Sequence, residues 1–433
     1  MQLYSTKSKE GKKVSLSEAV MRGLPPDNGL YMPTLIPTLP VSFIGTLADR
    51  SFEDIAFTVA QTLFQGAIPE KDLRTIIREA VNFPAPLVEL DERRYVLELF
   101  HGPSLAFKDF GARFMAQLMG YFNRDRADKL TILVATSGDT GGAVAAGFYQ
   151  TPGIEVIILY PSGKVSELQE KQLTTLGHNI SALEVSGTFD DCQALVKQAF
   201  LDNELRGRLR LSSANSINIA RLIPQAFYYF EAYKQLPDKT RPVAFCIPSG
   251  NFGNLTAGLL AQRMGLPIQH FIAATNANDV VPQYLKSGEY LPRPSVRTLS
   301  NAMDVGAPSN FARMMDLFGS TWNQVKTSIS GYAYTDAQTE TAMRDVNDRY
   351  NYVIDPHGAV GYLALNEFLS ENPTYQGVIL ETAHPAKFLT DVERVLDKPV
   401  KVPARLAVLK DKKKVATRMS TEFADFKAYL LGR

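Results

Sequence analysis

The chain has 433 residues, 45% of them hydrophobic, with 46 basic against 45 acidic side chains and a formal net charge of +1. This length is too great for one ordinary core and suits two or three lobes, and the balanced charge offers no long-range attraction to a polyanion. No run reaches the ~18 apolar residues of a membrane span and Met1–Glu10 lacks a signal-peptide core, so no nucleic-acid or membrane partner is expected and the cytosol is the expected compartment.

Residues 1–94 read as mainly helical, with Ser51-Phe52-Glu53-Asp54 opening a helix through Thr62 and Pro69-Glu70-Lys71-Asp72 opening another through Ala80. Tyr95 to Phe100 then reads as a buried strand. It is followed by a helix over Phe107 to Phe122, with Phe110, Phe114, Met115, Leu118 and Phe122 on one broad face. Strand and helix alternate from there: Thr131–Thr136 with Gly141–Tyr149, Val156–Tyr160 with Ser166–Leu176, Ala182–Val185 with Asp190–Phe200, and Leu211–Ser213 with Ile217–Tyr233.

The stretch Leu236-Pro237-Asp238-Lys239-Thr240-Arg241-Pro242 marks a boundary. Beyond it come strand Val243–Ile247, helix Leu255–Met264, strand His270–Ala274 and an irregular segment from Pro292 to Pro308. Helices Asp336–Tyr350 and Gly358–Leu369, strand Gly377–Leu380 and helix Lys387–Leu396 complete the series. Such alternation predicts an α/β protein of two lobes, each an open parallel sheet with helices on both faces, behind a mainly helical N-terminal region. The expected division is 1–94, 95–235 and 236–433.

Cys192 and Cys246 lack C-x-x-C spacing and read as buried reduced thiols, and the five histidines form no H-x-x-x-H pair, so no protein-built metal site is expected. The tract Lys410-Asp411-Lys412-Lys413-Lys414 reads as a solvated loop.

The chemistry centres on Lys108. It stands in Ala106-Phe107-Lys108-Asp109-Phe110, in the first turn of the predicted helix. The positive end of the helix dipole and flanking aromatic rings both disfavour the ammonium there, which makes Lys108 a candidate for Schiff-base chemistry. A surface lysine pairing loosely with Asp109 is the plainer alternative.

Four polar or glycine-rich segments follow predicted strands, the position where open parallel sheets bind ligands. They are Thr136-Ser137-Gly138-Asp139-Thr140-Gly141-Gly142, Ser213-Ala214-Asn215-Ser216-Ile217-Asn218, Pro248-Ser249-Gly250-Asn251-Phe252-Gly253-Asn254 and Glu381-Thr382-Ala383-His384-Pro385. Glycines admit an anion close to the backbone, and Ser, Thr and Asn donate to it without competing charge, so the first three read as phosphate or carboxylate cradles. Tight strand-to-helix turns select the same residues for backbone reasons. Arg221, four residues into the helix after Ile217, can fold back over an anion held by the second segment, or can form a surface salt bridge. A lysine with several anion cradles suggests pyridoxal phosphate, since no segment matches the P-loop pattern or a convincing G-x-G-x-x-G.

Taken together, Gly29-Leu30-Tyr31-Met32-Pro33, Leu99 to Phe110, Ala135 to Gly141, Asn215 to Asn218, Pro248 to Asn254, Ser300-Asn301-Ala302-Met303-Asp304 and Thr382 to Phe388 resemble the threonine synthase family, in its bacterial and fungal branch. The resemblance implies a tryptophan-synthase-β-like, fold-type-II enzyme holding pyridoxal 5′-phosphate between two lobes and acting on O-phospho-L-homoserine, as a monomer or a homodimer. By motif, Lys108 is the implied Schiff-base lysine. Ser249, Gly250, Asn251, Phe252, Gly253 and Asn254 are the implied cofactor-phosphate loop, and Thr382 is the implied partner of the pyridine nitrogen. Thr136, Ser137, Thr140, Asn215, Ser216 and Arg221 are the implied binders of substrate carboxylate and phosphate. Asp139 stands where the wider fold group commonly has an asparagine that bonds the cofactor's 3′-oxygen; it either sits beside that oxygen, which an ionised carboxylate would repel, or caps the helix that follows, its ordinary structural account. A serine or threonine dehydratase or a cysteine synthase is the nearest alternative and needs no Arg221. A catalytically silent ligand-binding relative is the alternative of another class, and it has no use for an imine-forming lysine.

Overall fold

A computed structural model describes all of residues 1–433. Two sheets carry the fold. One has six strands in the order Ile329–Ala333, His270–Thr275, Val243–Pro248, Gln376–Glu381, Arg94–Glu98 and Leu87–Asp91, parallel except for the last edge strand. The other has five parallel strands in the order Thr417–Met419, Ile180–Val185, Ile154–Pro161, Leu130–Ala135 and Arg210–Ser213.

The central strands are apolar on both faces because helices cover both. Every residue of Leu130–Ala135, Val243–Pro248 and Gln376–Glu381 is buried. The expected α/β architecture is therefore present, and most element boundaries lie within two or three residues of those expected.

Helices Val280–Ser287, Phe311–Leu317 and Trp322–Ser328 and strand Ile329–Ala333 were not expected, and three further features depart from expectation. The helix expected over Ile217–Tyr233 is split into Ile219–Leu222, a 3-10 turn over Ile223–Ala226, and Phe227–Gln235. Pro224 has no N–H to continue the ladder, and Asn218 caps the start by accepting the Ala220 N–H at 3.0 Å. The N-terminal region also contains a small antiparallel sheet, Gln2–Ser5 with Val14–Ser15 and Tyr31–Pro33, whose strands are too short to show a periodicity.

The third departure concerns sheet membership. Leu87–Asp91 and Arg94–Glu98 join the six-stranded sheet, and the C-terminal Thr417–Met419 returns to the five-stranded one. The breaks at 94/95 and 235/236 thus do not bound the lobes. Pairing at this separation is set by which sheet edge leaves apolar surface open, and Met419, Phe426 and Leu430 close that surface over Leu183, Val185, Cys192 and Leu195.

Helix Lys108–Asn123 lies on the first of the chain's three crossings between the two sheets, from strand Arg94–Glu98 of one to strand Leu130–Ala135 of the other. All four polar segments lie at the carboxyl ends of strands. Replacing the fully buried Phe426 by alanine should cost about 3–5 kcal/mol. Hydrogen exchange should accelerate in Ile180–Val185 and not in Val243–Pro248; the reverse pattern would assign the C-terminal helix to the other lobe.

Candidate active site

Lys108 is the first residue of its helix, and the turn before it is bonded to the strand-end loop of the six-stranded sheet. The Phe107 N–H donates to the Thr382 carbonyl at 2.9 Å, and the His384 N–H donates to the Leu105 carbonyl at 3.0 Å. Leu105 itself takes φ +59°, a left-handed conformation that a branched residue adopts only under constraint. Burial pushes the Lys108 amine down to about 8 against the opposing pull of Asp139, and the cations Lys387 and Arg221 add to the drop.

Of the two rings expected to flank this amine, only Phe107 does so, with its centroid 5.8 Å from Nζ. Phe110 turns into the core against Phe83 and Tyr228. Asp109 is no partner for the lysine. It is buried, accepts the Ser104 N–H at 2.8 Å, and is pushed up to about 6 by that burial.

The capping account of Asp139 is overturned. Thr136 caps the helix Asp139–Phe148 instead, its Oγ1 accepting the N–H groups of Gly138 at 3.0 Å and Gly141 at 2.8 Å. Asp139 points the other way and pairs with Lys387 Nζ at 2.7 Å, while Gln169 Nε2 donates to the same carboxylate oxygen at 3.0 Å. Although burial alone would raise the Asp139 carboxyl, the two lysines outweigh it and hold the group below the ordinary carboxylate range. Lys387 is the functional side chain that pattern reading missed. It lay inside the Thr382–Phe388 motif but read only as the start of a helix, and nothing local tells which carboxylate a lysine will meet.

The two anion loops of the five-stranded sheet are tied together, because Asn215 Nδ2 donates to the Ala135 carbonyl at 3.0 Å. That brings Thr136, Ser137 and Thr140 beside Asn215 and Ser216, on neighbouring strand ends. Arg221 does fold back on this loop, as its spacing suggested, with Nη1 donating to the Ala214 carbonyl at 2.6 Å. It is 3% exposed and forms no salt bridge; its Nε is buried without a partner, and burial pushes its pKa down to about 10. Asp109 favours the charged form from nearby without forming an ion pair with it, and a buried guanidinium without an ion-pair partner is costly unless an anion arrives from outside. Gly111 makes room for it, since a Cβ there would lie 2.8 Å from Arg221 Nε.

Ser249–Asn254 form a turn into helix Gly253–Arg263, and Phe252 adopts φ +60° at its start. Asn254 Oδ1 accepts the hydroxyls of Tyr228 at 2.7 Å and Tyr229 at 2.8 Å, which leaves Nδ2 buried and unpartnered at the mouth of the helix. An orphaned amide donor and an eleven-residue helix N-terminus fit a phosphate group. With Lys108 and Thr382 on the neighbouring strand ends, the donor set fits pyridoxal phosphate.

The comparisons with known proteins bear on the same residues. A model of pyridoxal-phosphate-dependent enzymes matches residues 80–380, flanked by models of the threonine synthase N terminus at 2–81 and C-terminal region at 358–430. The chain is 47% identical to a threonine synthase of Haemophilus influenzae, with 100% of both chains covered. It belongs to the threonine synthase family.

The crystal structure of threonine synthase from Escherichia coli superposes with a TM-score of 0.94 at 44% identity over 100% of both chains. That of the pyridoxal-phosphate-bound threonine synthase from Brucella melitensis gives 0.93 at 37% identity, covering 99% of this chain and 98% of that one. A fungal L-serine ammonia-lyase from Rhizomucor miehei gives 0.57 at 15% identity, covering 74% of this chain and 99% of that one, a likeness of fold alone. No helix is long and apolar enough to cross a membrane.

The Thr382 loop has its own pH dependence. Burial lowers the His384 pKa to about 4, and its Nδ1 accepts the Ala386 N–H at 3.0 Å, so protonation must break that bond. Between pH 6.5 and 4 the unfolded chain binds the proton that the native one refuses, so stability present above 6.5 falls as the pH drops through this window. Denaturant midpoints measured across it should fall for the native chain and fall less steeply for His384→Gln, in which His270, also pushed down to about 4 by burial, still titrates; parallel profiles would contradict the buried neutral ring.

Proposed function

We propose that this chain is a threonine synthase, converting O-phospho-L-homoserine and water to L-threonine and inorganic phosphate in the cytoplasm, with pyridoxal 5′-phosphate attached at Lys108. Arg221 carries the choice of substrate: a buried cation that forms no salt bridge and leaves Nε unpartnered, beside the donors of Asn215 and Ser216, suits a dianion in addition to the cofactor phosphate. A dehydratase or cysteine synthase acting on an unphosphorylated amino acid has no use for it.

The cofactor, when bound, supplies an electron sink that makes the substrate protons next to it acidic. The protein supplies the rest. Ser249 to Asn254 hold the cofactor phosphate through backbone N–H groups and Asn254 Nδ2, and Thr382 offers the pyridine nitrogen a neutral hydroxyl. Thr136, Ser137 and Thr140 bind the substrate carboxylate from the facing sheet, which fixes the Cα–H bond relative to Lys108. Lys108, with its pKa near 8, is the base that takes the α proton and can return it. Arg221, Asn215 and Ser216 hold the γ-phosphate, and their interaction strengthens as charge builds on it during departure.

Phosphate release from O-phospho-L-homoserine by the purified protein, with threonine as co-product, tests this reading; cofactor-loaded protein that releases none would overturn it. Lys108→Ala should fold, lose the visible band of lysine-bound cofactor and lose activity by several orders of magnitude. Arg221→Ala should keep that band but bind phosphohomoserine more weakly by about 1.5–3 kcal/mol, roughly one to two decades in affinity. Unchanged affinity would remove Arg221 from the substrate site.

A further inference from the structure

Lys108 shares its surroundings with one ionised carboxylate, Asp139, and two other cations, Lys387 and Arg221. A buried carboxylate beside an amine attracts the protonated form, holding it as an ammonium and fixing its direction. The reactive role needs the opposite, a neutral amine free to turn toward a carbonyl carbon. The structure resolves the conflict by giving Asp139 another cation.

Lys387 Nζ lies 2.7 Å from Asp139 Oδ1, and its side chain has 0% exposure. A second Lys387 N–H donates to the Ser104 carbonyl at 2.8 Å, which also accepts Gln172 Nε2 at 2.9 Å. Ser104 belongs to the same turn that leads into Lys108. Gln169 Nε2 completes the environment of the carboxylate at 3.0 Å. Lys387 comes from the strand-end loop of the six-stranded sheet, whereas Asp139, Gln169 and Gln172 come from helices of the five-stranded one. The contact is made only when both lobes are in place.

We propose that Lys387 is a positioning residue for the reactive amine: by occupying Asp139 it keeps that carboxylate from holding Lys108 as an ammonium, and through Ser104 it anchors the turn on which Lys108 stands. The inference rests on reading Lys108 as the cofactor lysine. The Asp139–Lys387 pair is neutral as a unit, so Lys108 meets little net charge from it. Removing either member leaves the other to act on Lys108 alone, with opposite signs.

The test uses the full-length chain freed of cofactor. The rate at which it takes up pyridoxal phosphate is measured against pH, and the linkage is trapped with borohydride and located by peptide mass spectrometry. Uptake joins amine and aldehyde with loss of water and needs the unprotonated amine, so the midpoint of the profile reports Lys108. Lys387→Met should move that midpoint upward by roughly 1–3 pH units. Lys387→Arg should leave it near its original place, and adding Asp139→Asn to Lys387→Met should bring it back. An unmoved midpoint in folded Lys387→Met overturns the proposal. Should that variant not fold, Asp139→Asn alone carries the test: a shift to lower pH supports the proposal and an unmoved profile overturns it. Lys108→Ala separates the two levels. If borohydride still labels a lysine at the site in that variant, the reading of Lys108 falls and the inference with it; if labelling vanishes there while Lys387→Met titrates like the native chain, only the inference falls.

Discussion

The turn Gly102–Lys108 is bonded to both lobes at once, and the geometry of the cleft depends on it. From the six-stranded sheet it receives the His384 N–H at Leu105 and gives the Phe107 N–H to Thr382. From the five-stranded side Gln172 reaches the Ser104 carbonyl, and Lys387, from the six-stranded side, reaches the same oxygen while paired with Asp139 across the lobes. A lysine held by such a network loses little freedom on attaching to a cofactor, because most of its ordering is complete when the chain folds. The left-handed Leu105 and the low-lying amine are two costs of that ordering, and the surrounding hydrogen bonds offset them.

The anion sites follow a different rule. Arg221 and Arg313 are both buried without a salt bridge, and both donate to backbone carbonyls, Arg221 to that of Ala214 alone. Arg313 donates to the carbonyls of Tyr31, Ser216 and Ile217 and, at 2.8 Å, to Asn310 Oδ1. Because a peptide unit is planar, drawing the Ser216 carbonyl toward Arg313 directs the Ile217 N–H to the opposite side. Asn310 in turn gives its N–H to the Asn251 carbonyl at 3.2 Å, so one short helix braces the Asn215–Asn218 turn and the Ser249–Asn254 turn together. Burial pushes Arg313 down only to about 9, so it stays a cation at neutral pH and adds positive potential without blocking either loop.

Much of this was legible in the chain. Apolar runs such as Val243-Ala244-Phe245-Cys246-Ile247 and the face Phe110, Phe114, Met115, Leu118 mark a doubly covered strand and a packed helix because burial imposes period and composition locally. Lys108, the glycine-rich turns and Arg221 were identifiable for a related reason. Helix-start chemistry and backbone approach to an anion demand particular residue types within a few positions, and those positions are contiguous.

What the sequence determined by itself, then, was most of the elements whose cause lies within one turn or one strand, together with the family to which its motifs belong. Tertiary structure alone decided the pairings. Strand Arg94–Glu98 paired with Gln376–Glu381 and the C-terminal strand Thr417–Met419 with Ile180–Val185, partners far off in the chain, and Asp139 gave up a local cap for Lys387, 248 positions away by their numbers. A buried charge takes whatever partner the folded core brings within reach, and the energy of that choice depends on burial and distance, which no local pattern encodes.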